Sequence, residues 1–260
     1  MTIHLLGTGA SVSDIDRTTT MLAFEEDGRF FLVDCGADAT RELARAGLDP
    51  TQVAAVVLTH EHPDHISGYA LLVEKLWLLG RREPIPFYGP ESALRVARTC
   101  FTAFATDRWE GLPSRSHHVV DEREGVLVFE DETFRVTAAP VDHPVPTIGL
   151  RVETASGAIA AYSADTAHTD VVTRLATGAS VLVHEATGHM PGVHASAEEA
   201  AQTAAEAGVD RLVLVHIPVG ATDEGLTEAR AIFPYTDWGT DGQAIYVGAS
   251  EPPPREPISI

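Results

Sequence analysis

The chain has 260 residues, is 44% apolar and carries a formal charge of -20, with Lys75 the only lysine among 18 basic residues. A domain takes on the order of 150 residues, so one large core is the simpler reading. The acidic balance sets a general nucleic-acid-binding role at a disadvantage, although acid-rich, lysine-poor surfaces also suit salty solvent, where screening shortens the repulsion.

Residues 3–6, 21–25, 30–33 and 53–59 read as strands, the last nearly all apolar, as for a strand covered on both faces. Helices are expected over 37–46, stopping at Gly47, and over 66–79, stopping at Gly80 before a basic pair and two prolines. A strand at 85–88 and a helix from Glu91 to about Phe104 follow, and 106–118 reads as a loop. Further strands fall near 126–129, 134–141, 148–152, 158–163, 181–184 and 211–216, with helices between the later ones. The clearest helix opens on Ser196-Ala197-Glu198-Glu199, where Ser and Glu satisfy free amides at the helix start, and ends at Ala207 before Gly208.

Strands first, then alternating strand and helix, in two halves, give an α/β fold class: two sheets face to face with helices outside, an αββα sandwich. Residues 1–250 are expected to form one domain and 251–260 a proline-rich, extended or disordered tail. No run approaches the roughly 18 apolar residues of a membrane span, and the opening MTIHLLGTGAS resembles no leader, so the reading is a cytoplasmic protein without a membrane partner. Cys35 and Cys100 are too few for a disulfide framework and are both expected to be buried. The stretch 70–79 is apolar on more than one face, which suggests a homodimer contact through Leu72 or Leu76.

The chemistry concentrates in His60-Glu61-His62-Pro63-Asp64-His65, directly after an apolar strand and before a helix. A loop at the end of a buried strand is held rigidly while its side chains stay accessible. Imidazole and carboxylate are ligands that zinc, manganese or iron accept, and two histidines two apart in an extended segment can aim at one ion. More such residues stand at downstream strand ends: His143, Asp165 and His216. Gly7 and Gly9 lack the spacing of a dinucleotide loop and read as a tight turn beside the metals.

These motifs, with Leu6-Gly7-Thr8-Gly9-Ala10, Val33-Asp34-Cys35-Gly36, Tyr88-Gly89-Pro90, Ser163-Ala164-Asp165-Thr166, His184-Glu185-Ala186-Thr187 and His194-Ala195-Ser196, resemble the metallo-β-lactamase superfamily and, within it, the ribonuclease Z group. The resemblance implies two divalent metal ions, zinc first with manganese or iron as alternatives. It implies that His60, His62 and His143 hold one ion, that Asp64, His65 and His216 hold the other, and that Asp165 bridges them. Two such ions polarise the scissile group and lower the pKa of a bridging water. Asp64 would orient or deprotonate that water, His194 would assist the leaving oxygen, and Glu185 would orient His194. His184 is expected to support the site without ligating, and His117 and His118 to line its mouth.

One departure stands out. Transfer-RNA-processing members carry a long arm between the histidine matched by His143 and the aspartate matched by Asp165, whereas here only 21 residues separate them. The expected activity is therefore a phosphodiesterase acting on small phosphodiesters, with nucleic acid a less favoured substrate. The alternatives are an aryl sulfate, lactone or thioester hydrolase with the same metals, or an authentic ribonuclease Z.

Overall fold

The computed structural model describes residues 1–248 and 256–260. The chain opens with β1 (Thr2–Gly7), β2 (Met21–Glu26) and β3 (Arg29–Val33), then α1 (Ala39–Arg45), β4 (Val56–Val57), α2 (Pro63–Ile66) and α3 (Tyr69–Leu78). The first half closes with β5 (Ile85–Gly89), α4 (Glu91–Thr102) and β6 (Arg115–Val119). The second half runs β7 (Val126–Glu130), β8 (Phe134–Pro140), β9 (Ile148–Thr154), β10 (Ile159–Tyr162), α5 (Asp170–Ala176) and β11 (Val181–Glu185). It ends with α6 (Ala197–Ala207), β12 (Arg211–Val215), α7 (Asp223–Ile232), β13 (Thr236–Trp238) and β14 (Ala244–Tyr246).

Two seven-stranded sheets result, ordered β14-β1-β2-β3-β4-β5-β6 and β13-β12-β11-β10-β9-β8-β7. Each is antiparallel on one side and parallel on the other: β3 to β6 run parallel in the first sheet, β10 to β13 in the second. Strand side chains alternate between faces. Leu22 and Phe24 of β2 therefore enter the core between the sheets, with Phe31, Leu150, Val183 and Val213, while Met21 and Ala23 face the helices. Phe31 centres the inner layer, stacked on Phe24 and edge-on to Phe129 and Phe134. Under α6 the outer layer is mostly alanine, which lets the helix lie close to its sheet.

Several elements differ from the sequence-based expectation. Only Val56–Val57 of the 53–59 run pairs as a regular ladder, although Ala54 donates to Phe30 and Leu58 to Tyr88 on either side. The helix expected over 66–79 begins later, as Tyr69–Leu78, and a separate short helix, Pro63–Ile66, precedes it across Gly68, where a Cβ would lie 2.1 Å from the Ala37 carbonyl oxygen. The 106–118 stretch is not all loop: Arg115–Val119 is an edge strand whose polar Arg-Ser-His-His run hides the alternation that marks a half-buried strand. Strands β13 and β14 are three residues each, too short for a periodic signal. Cys35 is buried as expected, but Cys100 on α4 is only half-buried. Of the expected tail, residues 251–255 lie outside the described residues, and the Ile258 amide donates to the Ala44 carbonyl. Among the described residues no helix is long and apolar enough to cross a membrane.

Leu72 and Leu76 are 2% and 0% exposed and belong to the core, so neither is free to meet a second subunit. The outward face of α3 carries Leu71, Leu78 and, just beyond it, Leu79. Leu76→Ala should cost about 2–5 kcal/mol in denaturant unfolding, whereas Leu78→Ser should stay within about 0.5 kcal/mol in a sample dilute enough to be monomeric. Equal effects would contradict this division of the helix.

Candidate metal centre

The site begins at the end of β3, where Asp34 takes a left-handed backbone conformation (φ 60°). Its carboxylate accepts three hydrogen bonds: from the Thr59 amide and hydroxyl at 2.8 Å each, and from His65 Nδ1 at 2.8 Å. The Thr59 hydroxyl, donating to Asp34, accepts from His60 Nδ1 at 3.0 Å. One buried carboxylate thus fixes the tautomers of two imidazoles and leaves Nε2 of each free to face the site. The backbone adds its own clamp, with Cys35 donating to His65 and Gly68 to Cys35. Gly36 is required here because a Cβ would sit 1.5 Å from the Asp64 carbonyl oxygen.

The other groups arrive from the second sheet. Asp165 follows β10 across Ala164 (φ 54°), and His216 follows β12 with φ 53° itself. Non-glycine residues rarely adopt this region, and each costs of order 1–3 kcal/mol. The surrounding bonds hold them: the His216 amide donates to Thr20, and Thr187 Oγ1 lies 2.6 Å from His216 Nδ1 and donates to the His216 carbonyl. His143, beyond β8, donates from Nδ1 to the Val193 carbonyl at 2.8 Å. His143 and His216 are thus both held at Nδ1 with Nε2 turned inward, whereas His62 presents Nδ1 to the cluster, 3.2 Å from His143 Nε2.

The structure brings together all seven residues that the sequence singled out. Ligand atoms of His60, His62, His143 and Asp165 lie within 4.8 Å of one another, as do those of Asp64, His65 and His216. Asp165 Oδ2 reaches across both sets, 3.8 Å from His60 Nε2, 3.4 Å from His65 Nε2 and 3.3 Å from His216 Nε2. A ring nitrogen of His194 also falls within 4.8 Å of Asp165 and His216, while its Nδ1 is taken by Glu185 at 2.9 Å. Glu185 is wholly buried and also accepts from the amides of Thr166, Thr187 and Ala195. His184 is buried with Nδ1 on the Glu185 carbonyl and belongs to neither ligand set. His117 is bonded to the Tyr69 hydroxyl and stacked on Phe87, and His118 is stacked on Tyr88, so neither joins the cluster.

The donor set fits divalent cations. His60 Nε2, His65 Nε2 and Asp165 Oδ1 are buried without a hydrogen-bond partner among the described residues. Orphans of this kind cost about 1–3 kcal/mol each unless something satisfies them. The charges are correspondingly perturbed. Burial opposes ionisation of Asp165, but His216 and His65 hold it well below the usual carboxylate range. Burial likewise opposes Asp64, which His216, His65 and the Ser11 hydroxyl hold down. His60 is pushed down by burial and by His65, whereas His65 is held up against burial by Asp165 and Asp34. His194 is raised against burial by its bond to Glu185.

Two facing mixed sheets with helices outside, and a His/Asp centre where strand ends meet, define the metallo-β-lactamase fold, a class of metal-dependent hydrolases. The family model of the beta-lactamase superfamily domain matches residues 29–217. The chain belongs to this superfamily and, within it, to the ribonuclease Z-like group. Ribonuclease Z of Mycobacterium sp. strain KMS is 33% identical over 88% of this chain and 89% of that protein. Ribonuclease Z of Methanothermobacter thermautotrophicus is 29% identical over 98% of this chain and 99% of that protein. That alignment spans 311 positions, so the relative carries residues with no counterpart in these 260. Among solved structures, a diphosphatase from the PhnP family superposes with a TM-score of 0.75 at 21% identity, covering 95% of this chain and 98% of its own.

Asp34, Thr59, Thr187 and the Val193 carbonyl were given no role by sequence reasoning. Only Asp34 carried a signal, an acidic residue between an apolar strand and Cys35-Gly36. Asp34→Asn is a clean test, since Asn tolerates the left-handed backbone and keeps the volume. It should leave the circular dichroism spectrum intact yet weaken divalent-metal affinity about 10–100-fold in chelator competition. Unchanged affinity would show that the clamp does not aim the ligands.

Proposed function

We propose that the protein is a dinuclear metal-dependent phosphodiesterase that acts on small phosphodiesters. The observation that carries the substrate size is the short path between His143 and Asp165: β9, a tight turn and β10 fill it, with no projecting arm. The fold's likeness to a diphosphatase supports the same reading. A second reading, processing of RNA 3′ ends, is favoured by the ribonuclease Z relatives that align over nearly the whole chain. Hydrolysis of another ester class with the same residues is the remaining alternative.

His60, His62 and His143 would hold one cation, Asp64, His65 and His216 the other, and Asp165 would serve both; zinc suits this imidazole and carboxylate set best. Two divalent cations polarise a phosphoryl group and supply a nucleophile near neutral pH. Asp64 belongs to the second set and would also orient the attacking water and take its proton. His194 would protonate the leaving oxygen from Nε2, because Glu185 fixes the opposite ring nitrogen as its hydrogen-bond partner.

His194→Ala should keep both metals and lose roughly 10²–10⁴-fold in turnover of an alkyl or nucleoside diester. A nitrophenyl diester, whose leaving group needs no proton, should suffer much less; equal losses would refute the acid role. Wild-type protein should cleave bis-nitrophenyl phosphate while processing precursor transfer RNA poorly, and efficient site-selective processing would establish the second reading.

A homodimer is proposed through the outer apolar side of α3, where Leu78 is 68% exposed beside the stacked pair Trp77 and Trp109. Light scattering at micromolar concentration should show two chains, and Leu78→Asp should yield one.

A further inference from the structure

The loops that hold the reactive groups also carry exposed apolar side chains. On one flank, Ala10 donates to the carbonyl of Ile217, the residue after His216, and two residues on, Val12 is 69% exposed. The Val12 carbonyl accepts from the Val219 amide at 3.1 Å, which pairs this loop with the segment leaving His216; Val219 is 57% exposed. Ile15, fully exposed, stands at the tip of the same loop. On the other flank, Met190 pairs directly with His194 through both backbone bonds and is 42% exposed.

Charge on these flanks has the wrong sign for a polyanion. Asp14 and Asp16 are exposed beside Ile15. Arg17, the arginine of that loop, turns Nη1 inward to the Thr8 hydroxyl and to the Gly239 carbonyl. Arg95, near the metal loop, is engaged by Glu61 at 3.6 Å. Val12 and Val219 thus lie on segments beside His216, Met190 on the segment of His194, and Asp14 and Asp16 on the loop that carries Val12. Isolated exposed apolar residues are ordinary, but these sit on segments hydrogen-bonded to those that carry His216 and His194.

Resting on the phosphodiesterase reading, we infer that Val12, Val219 and Met190 form an apolar rim that selects singly charged diesters bearing an alkyl or aryl substituent. The rim binds the substituent that is not expelled, and the acidic outer ring discriminates against further phosphates.

Metal-loaded enzyme is assayed on 4-nitrophenyl methyl, butyl and octyl phosphates, below the concentration at which the octyl ester forms micelles. The leaving group is constant, so only the second substituent varies. kcat/KM should rise roughly two- to fourfold per methylene that reaches the rim, from the transfer free energy of a buried CH₂, and the gain should appear in KM. The Val12→Ser, Val219→Ser double variant should lower the octyl-to-methyl ratio at least tenfold, and Leu127→Ser, on an exposed edge far from these loops, should not. A flat series in an active enzyme overturns the rim, as does a slope that survives the double variant. Absence of turnover on every ester, the methyl one included, refutes the phosphodiesterase reading instead. Calorimetric binding of octyl- against methylphosphonate then decides on the rim without turnover: tighter octyl binding lost in the double variant supports it, and equal binding overturns it.

Discussion

A single buried carboxylate, Asp34, accepts from the Thr59 amide, the Thr59 hydroxyl and His65 Nδ1, and the centre depends on that arrangement. Two imidazoles on a six-residue loop would otherwise choose among tautomers and rotamers, and each wrong choice would turn a lone pair away from the site. Asp34 removes that freedom directly for His65 and through Thr59 for His60. Its left-handed backbone places the carboxylate under the loop, and Gly36 lets the chain pass within reach of Asp64. Strain at one strand end is offset by three hydrogen bonds and by the order they impose.

The second sheet repeats the solution with different residues. Parallel strands β10, β11 and β12 all end on the same side, delivering Asp165, Glu185 and His216 to one edge. Ala164 and His216 take left-handed conformations there, and Thr20, from the first sheet, accepts from the His216 amide. The Gly9 bridges to Thr19 and Ile217 join the sheets at this same edge. The centre is therefore formed where two separate β layers are tied together. Its geometry is inherited from the inter-sheet core around Phe31, because a shift of one layer would separate Asp165 from the histidines it faces.

Electrostatics links this centre to the rest of the surface. The carboxylates that would hold cations are buried among histidines, while the surrounding loops are acidic and bear few free basic groups. Under the proposed phosphodiesterase reading, attraction for a phosphoryl group would come from the centre itself and not from a basic approach.

The seven His and Asp residues were legible because each follows an apolar strand, and strand ends are visible in hydrophobic pattern alone. Helix α6 was legible from its capping box, a local interaction between Ser196 and Glu199. The αββα class followed from the order of strands and helices. Other features were fixed only by partners distant in the chain. Strand β14 exists because β1, more than 230 residues earlier, offers a free edge, and β6 because β5 needs a neighbour. The later start of the helix expected over 66–79 goes with the close passage of residues 35–37 at Gly68, and Leu72 and Leu76 went inward because α3 covers the first sheet. Asp34 itself was visible as a residue but not as an anchor: a carboxylate's role depends on which donors the fold brings to it, and Thr59 and His65 reach it only after two parallel strands have paired.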